Sequence, residues 1–564
     1  MRSFEWQAPD VDEGQANALA KEIGVRRLTA RILIARGLAQ ASVAARFLAP
    51  RLADMRPPAG MADMDRVVDR IVVALDQRQR IGVFGDYDVD GVTTAAVLAT
   101  TLRAFGAQVI ARVASRKAGY GLGVADVARF ADEGCALLIT GDCGTSDVEA
   151  LAAGRQRGLD VVVIDHHQIP SGETAAYALI NPHRADDQFP FKGLASCGVA
   201  FYLAAALRAR LRDRGVTFDP RDLLDLVALG SVADMVPLIE ENRILVAAGL
   251  RVLTTRKRPG IAALCEAANI TEGSLDAGDI SFRLAPRLNA AGRLGEAQLA
   301  LDVLLAGTLE EARRLTTELD ERNRERQRIQ ETVWNEAVAV AEQHAHDAAL
   351  VVGADGWHPG VVGIIAAKLV EKYARPAVVI GFENGHGRGS ARTTGGFNLY
   401  QALVQCRSHL IRFGGHAAAA GMSLAQERLD DFRRSFLAEV ERARQGAAQA
   451  PSVLVDAVVD LGDCDVAMAE DLGRLAPFGA ANAEPLLVLA GVTAQSTRRV
   501  GQGHLQLTLA HRGSMSDAIA FGMADRDPGS GASVDVVATA ELDTYRGARR
   551  ARLRIRHLHA SRQS

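Results

Sequence analysis

The chain is poor in everything that would make it a secreted, membrane or zinc-ribbon protein. Six cysteines are scattered over 564 residues (Cys135, Cys143, Cys197, Cys265, Cys406, Cys464), with no Cys-x-x-Cys pair. That excludes a zinc ribbon and a disulfide framework, and fits a reducing cytosol. No run of about 18 apolar residues occurs, so no membrane span is expected. Met1-Arg2-Ser3-Phe4-Glu5-Trp6 has no apolar signal core, and the expected location is cytoplasmic. Charge of one sign is also missing: 65 Lys and Arg stand against 68 Asp and Glu, a net −3. Any nucleic-acid face must therefore be local. Aromatics make up only 5%, so a long row of base-stacking rings is excluded too. What remains is an ordinary soluble composition, 48% hydrophobic and 24% charged, in a chain too long for one domain.

The informative part is a set of apolar runs that end in acids and imidazoles. Ile81-Gly82-Val83-Phe84 runs into Gly85-Asp86-Tyr87-Asp88-Val89-Asp90-Gly91. Leu137–Thr140 runs into Gly141-Asp142, and Val161–Ile164 into Asp165-His166-His167. Leu226–Ala233 delivers Asp234. Between them lie helical stretches such as Thr93–Phe105 and Asp147–Arg157, the βαβ pattern of a parallel sheet. Ligands of such sheets bind at the carboxyl ends of the strands. One aspartate after a strand is most often a helix N-cap, and a lone buried histidine is more often structural. Four such strand ends together predict a divalent-metal site. Asp88 and Asp90, two apart, would share one face of a strand. Oxygen ligands suit Mg²⁺ or Mn²⁺, and histidine tilts the choice toward Mn²⁺. The acids outnumber the needs of one ion, which points to two.

The rest of the chain divides by pattern. Residues 1–60 read as a helical segment and 61–306 as the metal-bearing parallel-sheet domain. Residues 307–345 read as a long connecting helix, with Leu309, Ala312, Leu315 and Leu319 at helical spacing. Residues 346–446 read as a second, smaller α/β domain, opening on the strand Leu350–Gly353, the helix Val361–Tyr373 and the strand Ala377–Gly381. In 452–564 five short strands are predicted, Ser452–Val458, Leu486–Val492, His504–Ala510, Val534–Ala540 and Ala551–Leu558. They suggest an OB-fold β-barrel. The fold class is multidomain α/β with a C-terminal barrel. On the last strand Arg552, Arg554 and Arg556 alternate with Leu553 and Ile555, so three guanidiniums should share a face. Arg498 and Arg499 extend it, and Phe521 and Tyr545 are the nearest stacking candidates.

These motifs resemble the DHH phosphoesterase superfamily, in particular the long RecJ family of single-strand-specific 5′→3′ exonucleases. The resemblance runs through Ser115–Leu122, Pro286–Arg293, Trp357–Ile364, Gly389–Arg392, Phe413–Gly421 and Leu475–Gly479. The chain departs from the family pattern at Ala118, Ala476 and Ala483. It implies metal ligation by Asp88, Asp90, Asp142, His166 and Asp234, with Asp86 and Asp165 behind them. It puts His167 beside the scissile phosphate, as general acid or as a stabiliser of developing charge. Arg116, Tyr120, Arg287, Asn289, Arg293, Ser390, Arg392 and His416 become the candidates for holding a terminal phosphate. Arginine suits that task because its planar fork matches phosphate. The implied partner is single-stranded DNA with a free 5′ end. A single-strand-binding protein and a RecQ-type helicase follow through the resemblance alone, and a monomer is expected. Cleavage of short oligoribonucleotides, a cyclic dinucleotide or pyrophosphate would use the same chemistry. A non-catalytic replication scaffold would be expected to have lost the acids.

Overall fold

The computed structural model describes residues 5–116, 121–170, 174–270, 273–393, 395–444, 452–501, 503–543 and 549–561. A five-stranded parallel sheet carries the metal-bearing half, in the order Gln108–Val113, Arg80–Gly85, Cys135–Gly141, Asp160–Ile164, Ala178–Ile180. Helices cover both faces, so both must be apolar. Val83, Ile139, Val162 and Ile164 face one hydrophobic cluster, and Phe84, Leu138, Val161 and Val163 the other.

One expected strand is a helix. Leu224–Ala233 is α-helical, and every residue from Leu224 to Val232 is buried. A short apolar run buried all round has no polar face, so its periodicity cannot separate buried helix from buried strand. Asp234 is that helix's C-terminal cap rather than a strand end.

The helix Leu309–Gln343 starts at Thr308, whose Oγ1 accepts from the Glu311 N–H at 3.2 Å. Its 35 residues span about 50 Å. Leu315 and Leu319 pack on the core of the parallel-sheet unit, while Val333, Ala337 and Ala341 pack on the second unit. Both halves are therefore seated. The second unit is a mixed five-stranded sheet, ordered Arg412–Gly415, Ala419–Ala425, His386–Arg392, Ala377–Glu383, Leu350–Asp355.

The C-terminal barrel closes through pairing of Leu487–Val500 with Ala532–Asp543. It contains a strand that was not predicted, Ser514–Ala520, hairpinned to His504–His511 through Arg512 and Gly513, both at positive φ. Its small and polar residues hide the alternation. The expected strand Ser452–Val458 splits in two: Ser452–Leu454 pairs with Glu5–Gln7, and Ala457–Val458 with Leu487–Val488.

That pairing reflects a larger fact. The helices Glu13–Ile23, Arg27–Ala35 and Ala41–Leu48 share one core with the barrel: Leu19, Ile32 and Leu33 pack with Leu487, Leu489 and Leu505. Asp471 fixes the contact, accepting from the Arg26 N–H at 2.7 Å and the Thr29 hydroxyl at 2.6 Å. A further clasp joins this unit to the parallel-sheet one. The Arg243 guanidinium lies 3.7 Å from the Phe47 ring centre and donates to the carbonyls of Phe47, Ala476 and Pro477. Burial, then the nearby Arg36 charge, pushes its pKa down to about 9.

Deleting residues 451–564 should therefore unseat the N-terminal helices rather than only remove a binding module. Limited proteolysis of the truncated chain is expected to cut within residues 13–48, which the full chain protects. Protection retained after truncation would contradict the shared core.

Candidate metal centre and anion cleft

The parallel register builds the site. Gly85 is paired with Gly141, and Gly141 with Ile164. The ladder continues one residue further: the N–H of Asp86 donates to Gly141 O, that of Asp142 to Ile164 O, and that of Asp165 to Ile180 O. Three aspartates thus stand in a row on adjacent strands, about 5 Å apart. Asp142 adopts φ +63°, a conformation that non-glycine residues seldom take and that is concentrated at functional sites.

Asp88 and Asp90 do not lie on a strand. Asp88 is the N-cap of the helix Val89–Ala104, accepting from the Gly91 N–H at 3.0 Å, and Asp90 sits in its first turn. The commonplace capping role and a ligand role coexist in Asp88. Asp90 accepts from the N–H groups of Ser196 and Cys197, at 2.8 and 3.0 Å, where the helix Ser196–Arg210 begins. Tight packing lets these elements meet. A Cβ on Gly91 would sit 2.5 Å from Asp86 backbone atoms, and one on Gly230 would sit 2.3 Å from Thr93 Oγ1. Gly230 is what allows the Leu224–Ala233 helix to bring Asp234 in.

His166 is the hub. Its Nε2 lies 3.3 Å from Asp142, 3.4 Å from Asp234 and 3.9 Å from Asp90. Three overlapping triads have ligand atoms within 4.8 Å: Asp142-His166-His167, Asp90-His166-Asp234 and Asp86-Asp88-Asp142. Buried lone pairs are left over. Among the described residues, His166 Nε2 and both Asp86 oxygens have no hydrogen-bond partner in good geometry, although the Tyr87 and Gly121 N–H groups favour the Asp86 charge. A divalent cation with oxygen and nitrogen preference, Mn²⁺ or Mg²⁺, fits this donor set.

The electrostatics agree. Burial, then the neighbouring charge of Asp88, raises the Asp86 carboxyl to about 8. Burial, then Asp90 and Asp88, raises Asp234 to about 8. Burial with the charges of Asp88 and Asp90 raises Asp142 well above the carboxylate range. Asp165 differs. Burial would raise it, but the His167 hydrogen bond and charge, with Thr145, hold it near 2. It accepts from His167 Nδ1 at 2.7 Å, and from the N–H groups of His166 and His167. Burial disfavours charge on His167, yet that hydrogen bond and the surrounding carboxylates lift it to about 9.

Sequence reasoning missed two supports. Ser196 donates from Oγ to Asp142 at 3.1 Å, and the buried Asn181 donates from Nδ2 to His167 O at 2.9 Å. Asn181 follows the strand Ala178–Ile180, so the strand-end logic applied once more would have found it.

Between the two α/β units, a cleft of about 760 Å³ is lined by Arg116, Arg293, Trp357, His358 and Arg388, with Asp355 and Glu383 also on its wall. Arg116 stacks on Tyr87 at 4.3 Å, and its buried Nε has no acceptor among the described residues. Arg293 donates to Gly360 O at 3.0 Å; burial, then the charges of Arg116, Arg326 and Arg392, pushes it down to about 10. Arg392 donates to Ser390 Oγ and to its neighbour's carbonyl, both at 2.8 Å.

The other candidates are placed differently. Arg287 is tied to Asp320 at 3.0 Å and to the carbonyls of Arg283 and Ala267, so it braces the helix Ala285–Leu294 against its neighbours. Asn289 is half-buried on that helix, and His416 is exposed on the hairpin at the edge of the second sheet. Tyr120 and Tyr545 lie outside the described residues. In the barrel, Arg552, Arg554 and Arg556 do share a face, but acids pair with all three. Arg552 meets Glu541 and Asp543, and Glu484 meets both Arg554 and Arg556. Arg498 has only the neutral Gln506, and Arg499 is exposed. Phe521 is exposed too, edge-on to His504 at 5.2 Å.

Residues 80–231 match the DHH family N-terminal domain, 346–442 the DHHA1 domain and 455–557 the RecJ OB domain. The single-stranded-DNA-specific exonuclease RecJ of Dickeya dadantii is 37% identical, over 88% of this chain and 90% of its own. That of Bacillus subtilis is 34% identical, over 98% and 70%. The chain belongs to the RecJ family. The crystal structure of Thermus thermophilus RecJ with Mn²⁺ superposes with a TM-score of 0.83 at 28% identity, over 98% of this chain and 79% of that one. The same Thermus protein has also been solved with Mg²⁺. Among the described residues of this RecJ-family chain, no helix is long and apolar enough to cross a membrane.

Ion loading must expel protons from carboxyls raised to about 8. Deprotonation becomes easier as pH rises, so Mn²⁺ affinity is expected to climb from pH 6 to pH 8 and to level off above. Titration calorimetry in buffers of different ionisation enthalpy should show proton release on binding. Affinity independent of pH would contradict the buried-acid assignment.

Proposed function

We propose that this protein is a metal-dependent exonuclease that degrades single-stranded DNA from its 5′ end to 5′ mononucleotides, in DNA repair and recombination. The observation that carries the proposal is the pairing of a buried carboxylate–imidazole nest with an arginine cleft between the two α/β units. Asp88, Asp90, Asp142, His166 and Asp234 would hold Mn²⁺ or Mg²⁺, and the acids suffice for two ions. When bound, the metal supplies positive charge to a phosphodiester and lowers the pKa of an attacking water.

The chain's own groups do the rest. Asp165 holds His167 at Nδ1 and keeps the ring protonated, which leaves Nε2 as the atom that donates to the departing oxygen or stabilises its charge. Arg116, Arg293, Ser390 and Arg392 grip the terminal phosphate, with Asn289 and His416 at the pocket's margin. The ion pair of Arg287 with Asp320 removes it from that set. On the barrel, Arg498 and Arg499 carry the strand, because Glu484, Glu541 and Asp543 already neutralise the other arginine row. The proposal extends to a cytoplasmic monomer that meets a single-strand-binding protein and a RecQ-type helicase.

The test is manganese-dependent digestion of an end-labelled single strand beside the same sequence as blunt duplex. Mononucleotides lost stepwise from the 5′ end, with the duplex spared, are expected. If long DNA survives and only di- to pentanucleotides are cut, the substrate is a short oligonucleotide instead. Asp142→Ala or His167→Ala should each lower cleavage by about 10³-fold or more, while strand binding changes only a few-fold. A variant that stops binding DNA but still cuts short oligomers would contradict the roles given.

A further inference from the structure

We propose that the cavity where the N-terminal helices, the barrel's entry loop and the parallel-sheet unit meet is a binding site for an organic anion, an apolar or aromatic body that carries one carboxylate. It shares no lining residue with the metal centre or with the cleft between the two α/β units. The inference stands independently of the exonuclease reading.

The cavity holds about 530 Å³. That is the size of a small-molecule site, and junctions between units are where such sites concentrate. Leu38, Val43 and Phe47 supply apolar wall from the N-terminal side, and Ile239 and Ile244 from the parallel-sheet side. Ala481 and Asn482 of the barrel's entry loop complete the lining. Val43 and Phe47 lie on the helix Ala41–Leu48, and Ile244 on the helix Glu240–Thr254. The cavity therefore exists only when all three units are docked.

Four arginines also line it, Arg36, Arg46, Arg56 and Arg243, and their counter-charges are unequal. Arg56 is balanced by both Glu240 and Glu241. Asp54, also on the wall, gives its two oxygens to Arg51, each at 3.0 Å. Arg36 meets Asp456 at 3.3 Å, and that carboxylate also accepts from the Leu486 N–H at 2.8 Å. Among the described residues, Arg46 and Arg243 have no ion pair with a carboxylate. Arg243 is 2% exposed, and its bonds to the carbonyls of Phe47, Ala476 and Pro477 return dipoles but no charge. Burial, then the charge of Arg36, disfavours its charged form. Like charges held this way are relieved by an incoming anion.

The ligand's chemistry follows from the two kinds of wall. A guanidinium fork matches a carboxylate, and Asp456 leaves only a small positive excess to balance. Inorganic phosphate would meet the arginines but leave the apolar wall in water, whereas a neutral apolar molecule would leave the arginines uncompensated. An apolar body with one carboxylate satisfies both. It would touch all three units at once, and so fasten the N-terminal helices and the barrel to the helix that follows Asp234. A free metabolite and the C-terminal residue of a protein chain share this chemistry.

The experiment titrates the full chain with N-acetyl-phenylalanine, with its amide and with inorganic phosphate, by calorimetry and by melting temperature. The carboxylate is expected to bind saturably and to raise the melting temperature, with the amide and phosphate about tenfold weaker or worse. Arg46→Gln, which breaks no ion pair, should raise Kd about threefold or more. Val43→Trp, which fills the cavity and touches no charge, should abolish binding. Arg392→Gln, in the arginine cluster between the two α/β units, should bind like the wild type. No binding to the wild type overturns the site, and so does equal binding of the amide or of phosphate. Binding lost in Arg392→Gln but kept in both Arg46→Gln and Val43→Trp overturns it as well. A short peptide ending in phenylalanine separates the sources. Tighter binding than N-acetyl-phenylalanine assigns the site to a protein's C terminus, and weaker binding assigns it to a free metabolite.

Discussion

Mutual repulsion among buried carboxylates is the constraint on which the structure turns. Asp86, Asp90, Asp142 and Asp165 are almost fully buried within one nest, and Asp88 and Asp234 close its edge. No arrangement of like charges in a low-dielectric pocket is favourable by itself. His167 gives its shortest contact, 2.7 Å from Nδ1, to Asp165, and lies 3.8 Å from Asp142. The remaining acids are left with raised pKa values and orphaned lone pairs, a state that a divalent ion relieves. Backbone packing holds the acids there: three consecutive strand ends, two helix starts and a glycine-lined helix contact.

The arginines between the two units are the complementary case. Arg116, Arg293 and Arg392 have aromatic, carbonyl or hydroxyl partners and, among the described residues, no ion pair with a carboxylate. Arg116 links the two sites, since its charge favours ionised Asp86 at the edge of the acidic nest. Desolvated charge of this kind makes function and stability opponents, as is usual at active sites.

The periphery is less modular than a string of domains. The N-terminal helices complete the barrel's core, and the Arg243 clasp ties both to the catalytic unit. Leu238, four residues beyond Asp234, donates its N–H to Ala480 O in the barrel's entry loop. The barrel is therefore joined by a backbone hydrogen bond to the segment that carries Asp234.

Much of this was legible in the sequence, for a definite reason. A parallel sheet buried on both faces writes itself as short apolar runs, and the residue after each run must stand at the sheet's edge. Asp86, Asp142, Asp165, His166 and His167 could be read from that rule alone. The long helix was legible because its apolar positions keep one period over several turns. What the sequence left open depends on contacts distant along the chain. Leu224–Ala233 is a helix because neighbours bury every side of it, which removes the polar face that would mark it. Asp88 lies on a helix cap rather than a strand because Gly91 packs against Asp86. Arg287 and the Arg552–Arg556 row look free in sequence, and Asp320, Glu484, Glu541 and Asp543 neutralise them only in the folded chain. The sequence by itself determined the identity and order of the charged groups at the strand ends. Tertiary structure alone decided which charges stay uncompensated, because pairing depends on distances that no local pattern records.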